Sequence, residues 1–151
     1  MAEDIKFRHT MPVQIRFSDV DQFGHMNNSV YFSLYDLAKT TYIKDVLGSA
    51  DWSKLAIVVA NINANFFMPV FFSDHLVIET AVVHLGHKSF TLLQRAVTTD
   101  THEVKCECRT VMVGYDLATK EPKLISEDYK EAICRYEEKT LEELSKGEKW
   151  M

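Results

Sequence analysis

Asp21, His25 and the pair Asn27-Asn28 fall together in the stretch Asp19–Asn28, DVDQFGHMNN, immediately before a long apolar segment. A carboxylate can attack a carbonyl carbon or activate a water to do so. An imidazole beside it can orient that water or hydrogen-bond the group under attack. An asparagine is among the preferred helix caps, and a helix start carries unpaired N–H groups with a partial positive charge. A developing oxyanion is favoured there. Asp21 is therefore the candidate nucleophile or general base. His25 is a candidate participant, and Asn28, Asn27 or Ser29 is the candidate source of an oxyanion donor through its backbone N–H. Asp19 reads as a turn residue stabilised by a local side-chain hydrogen bond. Asp19, Asp21 and His25 are metal-ligand types, but no further spacing supports a metal, and none is expected.

Elements must deliver this loop. Pro12–Ser18 alternates Val13, Ile15 and Phe17 with polar residues and reads as a half-buried strand. The turn 19–26 has Gly24 as its flexible point. A helix is expected from about Asn28 or Ser29 to Leu47, capped by Asn27 or Asn28 and closed by Gly48. Val30, Tyr31, Leu34, Leu37, Ala38, Tyr42 and Ile43 make one continuous apolar face on it. Asp36 lies mid-helix as a rival carboxylate. After a loop at 49–54, strands are expected over Ala56–Met68, His75–Leu85, Phe90–Thr98 and Val104–Tyr115, with Thr98–Glu103 as a hairpin loop and Lys105, Glu107 and Arg109 on a wet face. The aromatic run Phe66, Phe67, Phe71 and Phe72 suits core or subunit contact. A polar loop, Asp116–Lys123, precedes a terminal surface helix capped by Ser126 and striped by Tyr129, Ile133, Leu141 and Leu144. The pattern is α+β: one apolar helix with a long antiparallel sheet curled around it.

Composition narrows the partners. The net charge is −5 with no basic cluster, which argues against nucleic acid. No apolar run reaches ~18 residues, so no membrane span is expected, and the N-terminus MAEDIKFRHT has no signal-peptide core. Cys106, Cys108 and Cys134 match no zinc spacing. Reduced thiols and a cytoplasmic setting are the expectation.

The order of elements and the loop DVDQFGHMNN before the central helix resemble the hotdog-fold thioesterases, nearest to the 4-hydroxybenzoyl-CoA thioesterase/YbgC-like acyl-CoA thioesterase group. Asn63-Ala64-Asn65-Phe66, Ser73-Asp74-His75-Leu76 and Lys88-Ser89-Phe90 carry the likeness onward, over about residues 11–135 of one domain spanning 1–151. The resemblance implies an acyl-CoA thioesterase with Asp21 as the catalytic carboxylate. It implies Asn27, Val59, Lys88 and Ser89 as substrate-binding positions, with coenzyme A present as part of the substrate and no separate cofactor. It also implies a homodimer or homotetramer. Several members carry a His or an aromatic residue where this chain has Asn28. The placing of His25 is instead similar to plant acyl-ACP thioesterases, whose intervening Asn is Phe23 here. Acyl-ACP hydrolysis and non-catalytic acyl-CoA binding are the alternatives.

Overall fold

The computed structural model describes residues 5–48 and 56–147; the expected loop at 49–54 lies outside them. Its centre is helix α1, Asn28–Leu47. Asn27 caps it by accepting the Ser29 N–H at 3.0 Å, and Gly48 closes it at φ +65°, a conformation that favours glycine. Tyr31, Tyr35, Ala38, Tyr42, Ile43 and Val46 are the buried residues of α1. Leu37, expected on the inner face, is half exposed on the opposite side, because the sheet covers only one side of the helix in a single chain.

Five strands wrap α1: β1 (His9–Val13), β2 (Ile57–Phe66), β3 (Leu76–Leu85), β4 (Ser89–Thr98) and β5 (Val104–Asp116). They pair antiparallel in the order β1-β3-β4-β5-β2, and a two-residue strand β6 (Glu121–Pro122) pairs with the end of β5. The inner faces of β3, β4 and β5 pack on α1 in two apolar clusters, one around Tyr42 and Phe90, the other around Tyr31 and Ile78. Edge strand β2 is different. Val58, Val59, Ile62 and Phe66 remain exposed along it, and a register shift between Val59 and Asn61 marks a bulge.

Four local expectations are corrected. The first strand ends at Val13 rather than Ser18; beyond it, Phe17–Asp19 forms a short 3-10 turn in which the Asp19 side chain accepts the Arg16 N–H. Lys105 is buried, and Glu107 is ion-paired with Arg95 at 2.9 Å, so that face of β5 is not simply wet. The loop 116–123 contains β6. The terminal helix is two: α2 (Glu127–Glu137) stops at Glu138, which adopts a left-handed φ of +55°, and α3 (Leu141–Ser145) restarts under a Thr140–Glu143 capping box. Ser126 caps α2 as expected. The α2 helix is only partly a surface element, since Tyr129, Ile133 and Glu137 are buried against α1 and the sheet.

Candidate active site

The segment between the 3-10 turn and α1 is a closed loop. The Asp21 N–H donates to the His25 carbonyl and the Gly24 N–H to the Asp21 carbonyl, each at 2.9 Å. Gly24 makes the turn possible at φ +80°. At the loop's base the Asn27 N–H donates to the Asp19 carbonyl at 2.9 Å. Asp19 itself is buried. Its carboxylate takes the Arg16 N–H at 2.8 Å and the Arg16 guanidinium at 2.9 Å. Burial opposes the charge on Asp19, but the guanidinium and N–H of Arg16 outweigh it and hold the carboxyl below its ordinary range. The expected turn-stabilising role of Asp19 is thus what the structure shows, with Arg16 as the partner.

Asp21 is exposed. Its Oδ1 accepts the Phe23 N–H at 2.9 Å and the His25 N–H at 3.3 Å. Its Oδ2 accepts nothing from the described residues and is open to a substrate. His25 lies beside it; its ring stands edge-on to Phe71 with centroids 5.3 Å apart. The loop 67–75 supports this arrangement from a distant part of the chain. The Met26 N–H donates to the Val70 carbonyl at 2.8 Å, and His25 and Phe71 form an antiparallel bridge.

Of the three candidate oxyanion donors, two are already engaged. The Asn27 N–H is bonded to Asp19 and the Ser29 N–H to the Asn27 side chain. Only the Asn28 N–H, at the first residue of α1, has no partner among the described residues. Beside it opens a cleft of about 220 Å³ lined by His25, Met26, Asn28, Tyr31 and Phe66–Pro69. Tyr31, Phe66, Phe67, Met68 and Pro69 were not among the sequence-derived site positions. Tyr31 is there because it lies one turn into α1, whereas Phe66–Pro69 reach the site through the bridge between two distant loops, which leaves no local sequence signal; the exposed run of phenylalanines is the one available hint.

The other sequence-derived positions lie elsewhere. Val59 sits on the exposed edge strand opposite Met112. Lys88 is exposed in the turn before β4, where its carbonyl accepts the Gly114 N–H at 2.8 Å, and Ser89 opens β4 opposite Val113. Gly114 is also required there, because a Cβ would stand 2.5 Å from the Lys123 carbonyl. The Asp21 loop, by contrast, adjoins the other end of the sheet. Phe66 pairs with Cys106, whereas Ile57 pairs with Gly114. At ~3.3 Å per residue, roughly 30 Å of strand separates the two groups within one chain. Asp36 is exposed on α1 and paired with Lys39 at 3.0 Å, away from the cleft. Among the described residues no cluster of three or more His, Cys, Asp or Glu could hold a metal, and no helix is long and apolar enough to cross a membrane. Burial pushes the Cys106 thiol up to about 11 and raises Cys108 as well, so neither is a nucleophile at neutral pH.

A carboxylate loop set on the N-terminus of a helix that is wrapped by one antiparallel sheet defines a hotdog-fold protein of the thioesterase class. The chain belongs to the thioesterase-like superfamily, whose family model matches residues 15–133. It is 26% identical to the long-chain acyl-CoA thioesterase FadM of Escherichia coli over 124 residues, covering 80% of this chain and 93% of that one. Among solved structures it resembles a thioesterase from Thermus thermophilus in complex with coenzyme A and Zn, with a TM-score of 0.79 and 26% identity over 89% of this chain and 98% of that one. The probable thioesterase YbaW of Escherichia coli matches with a TM-score of 0.70 and 25% identity, covering 91% of this chain and 99% of that one.

Proposed function

We propose that the protein hydrolyses acyl-CoA thioesters, with the Asp21 carboxylate as nucleophile or general base. The observation that carries this reading is the placement of Asp21: an exposed carboxylate with Oδ2 unpaired, on a loop closed by backbone hydrogen bonds at the start of α1. Either Oδ2 attacks the thioester carbonyl carbon directly, or it removes a proton from a water that attacks. In both routes negative charge develops on the carbonyl oxygen. The Asn28 N–H, which has no partner among the described residues, and the positive end of α1 would receive it. The carbon–sulfur bond then breaks, coenzyme A leaves as the thiol, and water supplies the oxygen of the free acid, by the second step in the covalent route. His25, which lines the cleft, would orient the water or the carbonyl.

The reading extends to a second copy of the chain. Strand β2 is an open edge with exposed Val58, Val59 and Ile62, and such an edge invites pairing. Two β2 strands paired antiparallel about their midpoints would set the Ile57 end of one against the Phe66 end of the other. Lys88 and Ser89 of the partner subunit would then stand near Asp21, where the phosphates of coenzyme A need a positive group. The homodimer, with a tetramer as a pair of dimers, is therefore the assembly this function requires.

Asp21→Asn is the test. It keeps an acceptor for the Phe23 N–H and leaves the fold intact, and turnover of acyl-CoA should fall roughly 10²–10⁴-fold, the range for an acid–base group. Turnover near that of the wild type would remove Asp21 from the mechanism.

A further inference from the structure

Tyr31 lines the cleft but is only 2% exposed. Its ring is wedged edge-on against Phe66, with centroids 5.3 Å apart, and tilted against Tyr35 at 6.5 Å. Its hydroxyl makes no hydrogen bond to any described residue. The Tyr129 hydroxyl is also without a partner among the described residues, but it is sealed inside the protein, whereas the Tyr31 hydroxyl is not among the enclosed atoms. A nearly buried polar group left without a protein partner calls for an explanation, and a ligand that fills the cleft must satisfy it or leave it stranded.

The rest of the cleft offers little competition for that role. Phe66, Phe67, Met68, Pro69 and Met26 supply apolar wall, and His25 and Asn28 stand at the helix start. A thioester carbonyl held at the Asn28 N–H sits at the top of α1. Tyr31 lies three residues further along the same helix face, one turn from Asn28, and its side chain leans back toward the helix start. With the carbonyl taken by the Asn28 N–H, the group left to meet the Tyr31 hydroxyl is the adjoining start of the acyl group.

Building on the reading of this cleft as an acyl-CoA site, we propose that Tyr31 selects acyl groups that carry an oxygen function, hydroxyl or keto, within their first few carbons. Such an oxygen takes the Tyr31 O–H, while a plain saturated chain displaces the water from that hydroxyl and gives nothing back. Burial, with Cys106 and Asp74 nearby adding to it, pushes the phenol up to about 12, so it stays protonated as a donor across neutral pH. A site built around a polar partner rejects the analogue lacking it more strongly than an apolar wall rejects a change of one methylene.

The experiment is hydrolysis of three acyl-CoAs of equal chain length, saturated, β-hydroxy and β-keto, by the wild type and by Tyr31→Phe. The substitution keeps the ring and its contacts, and a thermal melt confirms the fold. The wild type should prefer the oxygenated substrates. Tyr31→Phe should lose roughly 5- to 100-fold in kcat/KM on the oxygenated substrates, with the saturated one changed less than about 2-fold. Equal losses on all three would place the hydroxyl on the thioester carbonyl and overturn the selection. Unchanged kinetics on all three would overturn it as well. A wild type inactive on the whole panel would instead overturn the thioesterase reading and this inference with it, so the two failures are told apart.

Discussion

Glu137, at the end of α2, allows the anchoring of the central helix to be tested quantitatively. Its carboxylate is buried, and Oε2 accepts two hydrogen bonds at once, from the Tyr42 hydroxyl at 2.5 Å and from the Val82 N–H at 3.0 Å. Val82 lies where β3 bulges, so its N–H is one that the sheet's own ladder leaves for a side chain. One atom thus ties α2 to α1 and to β3. Glu137→Leu strands both donors, at about 1–3 kcal/mol each. The expected loss is about 2–6 kcal/mol, less whatever the leucine regains by apolar packing. At ~2–4 °C per kcal/mol for a chain of this size, the melting temperature should fall by about 5–20 °C. Glu137→Gln keeps an oxygen for both donors and should stay within about 1 kcal/mol of the wild type. The pH dependence has a definite sign. Burial outweighs the two hydrogen bonds and raises the Glu137 carboxyl above its ordinary value of 4.5. The folded state therefore holds a proton that the unfolded state has lost. The stabilisation is complete below the ordinary value and is lost as pH rises through the raised one. Circular-dichroism melts from about pH 4 to 8 on the wild type and both variants measure this. The Glu137→Gln variant should lack that component of the slope. A Glu137→Leu protein as stable as the wild type, or a Glu137→Gln protein that falls as far as the leucine variant, would refute the reasoning.

Lys88→Ala should raise KM for acyl-CoA with kcat nearly unchanged, and the effect should disappear for an acyl-N-acetylcysteamine, which has no phosphates. Equal KM changes on both donors would remove Lys88 from nucleotide binding. Asp19→Asn breaks the ion pair at the base of the Asp21 loop and should lower kcat by up to about 10²-fold through misplacement of the carboxylate, with KM within a factor of about two; the amides of Phe23 and His25 should exchange with solvent faster while those of α1 do not. An unchanged kcat with unchanged exchange would show that Arg16 and Asp19 do not hold the loop. Ile62→Lys places a charge in the exposed edge strand β2 and should convert the assembly to a 17.4 kDa monomer by light scattering, with activity lost in parallel. Wild-type protein that is itself monomeric and fully active would contradict the shared site.

The parts legible in the sequence are those encoded by short-range chemistry. Asn27 and Gly48 mark both ends of α1 because capping is a local hydrogen-bonding event. The boundaries of β3 and β5 follow from period-two alternation over ten or more residues. Asp21 stands out as a candidate because a loop carboxylate a few residues before a helix start is a local pattern. The break at Glu138 was not, because a left-handed non-glycine residue inside a run of helix formers carries no compositional mark. Thr140 and Glu143 did spell a capping box, but they sat inside a stripe that read as continuous with α2. Lys105 read as solvent-facing by alternation, whereas its backbone carbonyl receives the N–H groups of Phe67 and Met68 and its side chain is covered. Those contacts join distant parts of the chain and leave no trace in a local window. The same is true of the cleft wall, which exists only because loop 67–75 is bridged to His25 and Met26.

The distance between Asp21 and Lys88 bears directly on the proposed function. A strand long enough to wrap a 20-residue helix places its ends ~30 Å apart. Residues near opposite ends of the same sheet, Asp21 and Lys88, therefore cannot both touch one thioester through a single chain's cleft. An extended coenzyme A could bridge part of that span only by lying along the exposed edge β2, the strand whose apolar residues face solvent. Antiparallel pairing of two such edges removes both difficulties together. It would cover Val58, Val59 and Ile62 and would carry the far end of one chain to the near end of the other. On the proposed reading, the edge left open in a lone chain is the same feature that would bring Asp21 and Lys88 to one substrate.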